Sequence, residues 1–164
     1  MVHYYLDLET YGAGEPDPEM DEIIAITYCA IDEKTGAPVQ EPVILKAWES
    51  SEKAIVEKLA QRMITKRPFD FIPVGFNVLF DLWFLKEKFR KYIHVDLGDR
   101  FYLERPYVDL KQALVFHTGK FKGVRIGPPG NPVHDWYAYQ DYASIERHIR
   151  HKLEVFCTEW GKLR

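Results

Sequence analysis

The chain has 164 residues, 46% of them hydrophobic and 15% aromatic. That is enough apolar side chain for one domain with a sizeable core, and too much for a disordered chain. The formal net charge of −3 excludes a polyanion binder that works through its charge total alone, and no apolar run reaches the length of a membrane span. The charge is unevenly spread. Residues 1–50 carry eleven acids and two bases, whereas residues 51–164 carry fourteen acids and twenty bases. The bases gather in "KEKFRK" (86–91), "KFKGVR" (120–125) and "RHIRHK" (147–152). Any one of these reads as a solvated face, but three of them opposite an acidic half read as a rim for a polyanion. Cys29 and Cys157 sit in apolar periodic segments, read as buried free thiols, and offer neither a disulfide framework nor a zinc pattern. With no basic leader segment at the N-terminus, a cytoplasmic, reducing location is expected.

In chain order, residues 2–10 read as a strand and "GAGEPDPEMDE" (12–22) as a Gly/Pro/acid loop. "IIAITYCAID" (23–32) is a long β-rich run, "EKTG" turns it, and "PVQEPVILKAW" is expected to return as another strand. Ser50 or Ser51 offers a helix N-cap, and the apolar spacing through Ile55, Leu59, Met63 and Ile64 predicts the helix that follows. "FDFIPVGF" (69–76) reads as a short buried strand and residues 78–92 as an amphipathic helix. "RPYVDLKQAL" reads as strand, then helix, with Asp109 as its cap and Gln112 three residues on, as in a capping box. The last helix places Tyr142, Ile145, Ile149, Leu153, Phe156 and Trp160 on one face. Three strands followed by strands alternating with helices predict an α/β domain with a mixed sheet, spanning residues 1–164 as a single unit without repeats or linkers.

Three places put acids where a core does not want them. In "YYLDLETYGAG", Asp7 and Glu9 point to the same face of a strand, with roughly 7 Å between their backbone positions. In "VGFNVLFDLWFL" (74–85), Asp81 lies among residues fit for burial, four residues after Asn77 at a strand-to-helix junction. In "YAYQDYASIERHI" (137–149), Tyr137 and Asp141 are spaced i, i+4 and are expected one turn apart on one helix face. Each piece alone has a bland explanation: a solvated strand face, a cap or ion pair at Asp81, a half-buried Tyr137, a pairing of Asp141 with Arg147 or Lys152. Their order and spacing together are harder to assign to chance.

The set resembles the DEDD-type (DnaQ-like) 3′–5′ exonuclease superfamily of the RNase H-like fold. "LDLET" is similar to its first motif, D-x-E, and "GFNVLFDLWFL" to its second, with an Asn four residues before the Asp. "YAYQD" is similar to the tyrosine version of the third, Y-x-x-x-D, which marks the DEDDy subclass. Trp136 stands five before Asp141, so the histidine version does not apply. The resemblance runs from residue 4 to about residue 155 and implies a free-standing exonuclease or a subunit.

The resemblance implies a metal-dependent 3′–5′ exonuclease. It would hydrolyse phosphodiester bonds of single-stranded nucleic acid, DNA in preference to RNA, and release nucleoside monophosphates. Two divalent ions, Mg²⁺ or Mn²⁺, would supply the nucleophile, the leaving-group stabilisation and the charge neutralisation. Asp7 would bridge both ions, Glu9 and Asp141 would complete the nucleophile-side metal, Asp81 would hold the second through water, and Tyr137 would orient the attacking water. Four carboxylates at −4 match two ions at +4. Without cations, two like charges about 4 Å apart at an effective dielectric near 20 repel by roughly 4 kcal/mol. Tyr11, Phe76, Asn77 and Trp136 are the candidate substrate contacts, with Gly12 and Gly14 allowing close backbone approach; ordinary core is the competing role for Phe76 and Trp136 and the preferred one for Trp83. His134 reads as a loop residue after Pro132. The partner is single-stranded DNA or RNA with a free 3′ end and not a membrane. A chain of this size also suits self-association or a polymerase or repair partner. The rival reading is a catalytically silent RNase H-like nucleic-acid-binding protein, which is expected to have lost at least one of the acids.

Overall fold

The computed structural model describes residues 1–119 and 132–163, so the basic stretch 120–125 lies outside the described residues. Five strands form one sheet among them: β1 (His3–Tyr11), β2 (Glu22–Ala30), β3 (Val43–Lys46), β4 (Ile72–Gly75) and β5 (Val108–Asp109), in the order β3-β2-β1-β4-β5. β1, β2 and β3 run antiparallel, while β4 and β5 run parallel to β1. This is the mixed α/β sheet expected from the element order, with β1, the strand of Asp7 and Glu9, at its centre.

The helices are α1 (Glu52–Met63), α2 (Val78–Ile93), the four-residue α3 (Arg100–Leu103), α4 (Leu110–Thr118), α5 (Pro132–Ala138) and α6 (Tyr142–Gly161). Alternation along β1 sends Tyr4, Leu6 and Leu8 into a core shared with Ile55, Val56 and Leu59 of α1 and Leu82, Leu85 and Phe89 of α2. The opposite face carries Tyr5, which packs with Leu110 and Leu114 of α4 and Leu153, Phe156 and Trp160 of α6. Asp7 and Glu9 lie on this second face, under α6. The register slips between Glu9 and Thr10, where Glu9 pairs with Ala25 but Thr10 with Ile23. The extra residue, Ile24, joins Ala25 in a third apolar cluster with Val133, Ile145 and Ile149. Such a bulge kinks the ladder and re-aims side chains, here just past the two acids.

Local chemistry sets the element ends. Ser51 caps α1, its hydroxyl accepting from the Ala54 N–H at 3.1 Å. Gly75 is required where β4 meets β1, because a Cβ there would stand 2.5 Å from the Leu6 carbonyl oxygen. The expected strand over residues 38–48 is shorter than the sequence suggests. Pro38 and Pro42 bring no N–H to a ladder, pairing with β2 covers only Val43–Lys46, and Ala47–Glu49 turns as a 3₁₀ helix.

α2 buries a stripe that includes two charged residues, Asp81 and Lys88. Lys88, 1% exposed, pairs with Glu52 of α1 at 2.8 Å and donates to the Asp21 carbonyl. Glu52 also accepts from the Ile23 N–H at 2.7 Å and from the Tyr92 hydroxyl. The network ties α1, α2 and the loop before β2 together. Trp83 falls on the outer side of α2 and is 40% exposed, against the expectation of a core residue.

Many bases of the two described clusters are held in ion pairs, buried at Lys88, half-buried at Lys152 and exposed at Arg90 and Arg150. In residues 86–91, Lys86 pairs with Asp99, Lys88 with Glu52, and Arg90 with Glu87 and Glu19. In residues 147–152, Arg150 reaches Glu41 and Lys152 reaches Asp7 and Glu9. The reading of these stretches as a rim for a polyanion is weakened accordingly. No helix among the described residues is long and apolar enough to cross a membrane.

Candidate functional site

Asp7, Glu9 and Asp81 are buried, at 7%, 8% and 4% exposure. β1 supplies the first two from one face, and the first turn of α2 supplies the third. Burial pushes the Asp7 carboxyl up to about 6, Lys152 pulling the other way and Glu9 adding to the rise. Burial, then the charge of Asp7, raises Asp81 well above the ordinary carboxylate range. Among the described residues, Asp7 Oδ2 and Asp81 Oδ2 are buried without a hydrogen-bond partner, and so is Oγ1 of Thr27, the residue paired with Asp7 across β2. Buried carboxylate oxygens left unpaired are costly, and here they call for a cation.

The cation that the fold itself provides is Lys152. Its ammonium lies 2.7 Å from Asp7 Oδ1 and 2.8 Å from Glu9 Oε1. Burial opposes this charge, but Asp7 and then Glu9 overrule it and hold the lysine above its ordinary pKa. His148, one turn earlier on α6, stands 3.9 Å from Glu9. Burial, then the neighbouring lysine, lowers it to about 4, so it is neutral at pH 7. Tyr5 precedes the acids on the same face of β1. Among the described residues its hydroxyl is buried without a partner, and burial, then the charge of Asp7, raises its pKa and keeps it neutral. Tyr5, Asp7 and Glu9 are successive residues of one strand face, a pattern visible in the sequence but hidden among its aromatics. Lys152 and His148 carried a weaker signal: they lie i, i+4 on the last helix, within a stretch that otherwise looks like solvated base.

The Tyr137–Asp141 pair requires correction. The two residues do not share a helix. α5 ends at Ala138, Gln140 takes a left-handed conformation at φ 58°, and Asp141 begins α6 as its N-cap. Asp141 is exposed, and its carboxylate accepts from the Ser144 N–H at 3.1 Å and the Ser144 hydroxyl at 2.6 Å. Those two bonds hold its carboxyl below the usual range. It stands at the start of α6, seven residues before His148 and eleven before Lys152, the α6 residues whose side chains reach Glu9 and Asp7. Tyr137 lies beyond the end of the acid pair, its ring 4.9 Å from Tyr11. Burial, then the charge of Glu22, raises its pKa, which keeps the phenol neutral and does not suit a base.

The substrate-contact candidates divide. Tyr11 does share the face of Asp7 and Glu9, and it stacks on His134 at 4.5 Å. His134 sits on α5 and not in a loop. With Trp48, Tyr137 and Tyr142 these rings form an aromatic shelf past the acids, Trp48 and Tyr142 stacking at 4.9 Å. Trp136 is half-buried against His148, at 5.8 Å. Phe76 packs on Phe156 and belongs to the core. Asn77 is exposed at the N-terminus of α2 in a left-handed conformation at φ 59°. Its backbone N–H donates to Asp109 at 3.1 Å, and Asp109 also caps α4, as its sequence context predicts.

Among the described residues, no three His, Cys, Asp or Glu side chains are arranged as a ready-made metal cage. The unpaired oxygens of Asp7 and Asp81 nevertheless fit an ion that needs one or two carboxylates and keeps its waters, as Mg²⁺ does. With Lys152 seated on Asp7 and Glu9, these two oxygens are the buried carboxylate positions left without a partner among the described residues.

No family model matches the chain, and no curated protein does. Among solved structures, the chain is similar to the family B DNA polymerase of the hyperthermophilic archaeon Pyrobaculum calidifontis. The TM-score is 0.61 at 19% identity, over 98% of this chain and 24% of that one. It is also similar to E. coli Exonuclease I, solved with a dT13 oligonucleotide. There the TM-score is 0.54 at 13% identity, over 77% of this chain and 32% of that one. The chain therefore spans a quarter to a third of the length of these proteins. What they share with it is the fold, an RNase H-like mixed sheet flanked by helices.

Proposed function

We propose that the chain is a metal-dependent 3′–5′ exonuclease that hydrolyses phosphodiester bonds of single-stranded nucleic acid. The observation that carries this reading is three buried carboxylates, two from the central strand and one from the first turn of α2, with two oxygens unpaired among the described residues of an exonuclease-type fold. A divalent ion held from Asp7 and Asp81 would supply Lewis-acid stabilisation of the phosphoryl oxygens and of the leaving group. Glu9 would serve as acceptor for the proton of an attacking water, its carboxylate held in place by Lys152. The aromatic shelf of Tyr11, His134 and Tyr137 lies where the strand of acids ends and suits stacking of unpaired bases, worth about 1–3 kcal/mol per base. Single-stranded DNA is the favoured substrate, in keeping with the dT13 oligonucleotide bound by Exonuclease I.

Lys152 favours a second reading. With its ammonium on both Asp7 and Glu9 and with Asp141 outside the cluster, the fold would bind nucleic acid without cutting it. One experiment separates the two. Single-stranded DNA and RNA labelled at either end are incubated with the protein in Mg²⁺, Mn²⁺ or EDTA, beside Asp7→Ala. The nuclease reading expects metal-dependent shortening from the 3′ end that Asp7→Ala abolishes. Activity in EDTA, or full activity in Asp7→Ala, refutes it, and retention of uncut oligonucleotide in every metal establishes the silent relative.

A further inference from the structure

The third motif of the resemblance places an acid on the last helix, yet the α6 residue that faces Asp7 and Glu9 is Lys152, with His148 one turn before it. The charge this brings to the site is opposite to that of a carboxylate. Its ammonium touches the same two oxygens, Asp7 Oδ1 and Glu9 Oε1, that a shared cation would need. We propose that Lys152 is a built-in replacement for one of the two cations of such a site, so that the centre takes a single divalent ion, held from Asp7 and Asp81. The inference deepens the metal-dependent reading above and rests on it.

Two observations converge on this assignment. Two of the three N–H donors of Lys152 are committed to the acids, which fixes the ammonium where it compensates both and leaves one donor for a phosphate oxygen of a bound strand. Among the described residues, Asp7 Oδ2 and Asp81 Oδ2 are unpaired although both residues are more than nine-tenths buried, so the lysine leaves part of the carboxylate demand unmet. A lysine differs from a metal in one further respect: it cannot exchange with solvent, so its share of the charge is present at any metal concentration.

The test is Mn²⁺ binding, followed by electron paramagnetic resonance and calorimetry, which reads the site without reference to activity. Wild type is expected to bind one Mn²⁺ per chain. Lys152→Gln removes the competing positive charge and is expected to bind its ion roughly tenfold or more tightly. Lys152→Asp is expected to bind a second. Circular dichroism reports whether each variant is folded, and the wild-type stoichiometry stands without either. Two ions on wild type overturn the proposal, as does unchanged or weaker binding by folded Lys152→Gln. Absence of Mn²⁺ from both wild type and Lys152→Gln overturns it together with the metal-dependent reading. Oligonucleotide digestion run in parallel keeps the two apart. Two bound ions with digestion refute the part given to Lys152 and leave the nuclease. One bound ion without digestion leaves Lys152 in place and refutes the nuclease.

Discussion

Replacing Lys88 by Met isolates the buried ion pair that anchors α1, α2 and the loop before β2. The ammonium is 1% exposed and sits 2.8 Å from Glu52, itself 8% exposed. Removing the cation strands a buried carboxylate, a change that typically costs about 3–5 kcal/mol. Glu52 keeps its bonds from the Ile23 N–H and the Tyr92 hydroxyl, which places the loss near the lower end. The Asp21 carbonyl loses its donor as well, which adds about 1 kcal/mol. Lys88→Met is thus expected to destabilise by about 4 kcal/mol, or on the order of 8–16 °C in Tm for a domain of this size. The double variant Lys88→Met/Glu52→Gln removes both charges. It is expected to recover about 2–3 kcal/mol of that loss, because a buried pair exchanged as a pair is often close to neutral. Urea denaturation of wild type, both single variants and the double variant measures the cycle. A cost below about 1 kcal/mol for Lys88→Met, or a double variant that merely adds the two single losses, would refute the account of Glu52 as a stranded charge.

Gly75→Ala drives a methyl group against the Leu6 carbonyl at 2.5 Å and is expected to lower stability by about 1–3 kcal/mol, seen as a lower urea midpoint; an unchanged midpoint would mean that β1 and β4 have slack at the site. Asp141→Ala removes the α6 cap and is expected to lower the melting temperature while leaving Mn²⁺ affinity unchanged, whereas Asp7→Ala is expected to abolish Mn²⁺ binding; loss of metal binding in Asp141→Ala would return that residue to the site. Cys29, its thiol pushed up to about 12 by burial, holds a thiolate fraction of about 10⁻⁴ at pH 8. Because the raised pKa keeps the neutral thiol, native protein is expected to resist iodoacetamide at Cys29 until it is unfolded, and rapid native labelling located there by mass spectrometry would contradict its burial.

The order of elements was legible from the sequence because hydrophobic period, caps and turn residues are local. Alternation in residues 3–11 placed Leu6 and Leu8 in one core and the acids on the other face. Ser51 and Asp109 did cap their helices, and the apolar stripe of α6 ran as its spacing predicts. Asp7, Glu9 and Asp81 were legible as candidates for the same local reason: each is an acid where its own element buries a face.

What local pattern did not reach was which residue of the last helix faces the strand. Y-x-x-x-D implies a continuous helix through residues 137–141, and the left-handed turn at Gln140 breaks it. The Ser144 bonds make Asp141 a cap, and the packing of Ile145, Ile149 and Leu153 on the sheet sets the rotation of α6 that points Lys152 at Asp7. Sequence spacing specifies which side chains share a face of one element. Only the docking of that element, a balance of apolar burial summed over its whole length, decides what the face meets. By itself the sequence determined an RNase H-like chain with acids on its central strand. The tertiary structure decided that the charge opposite those acids is positive.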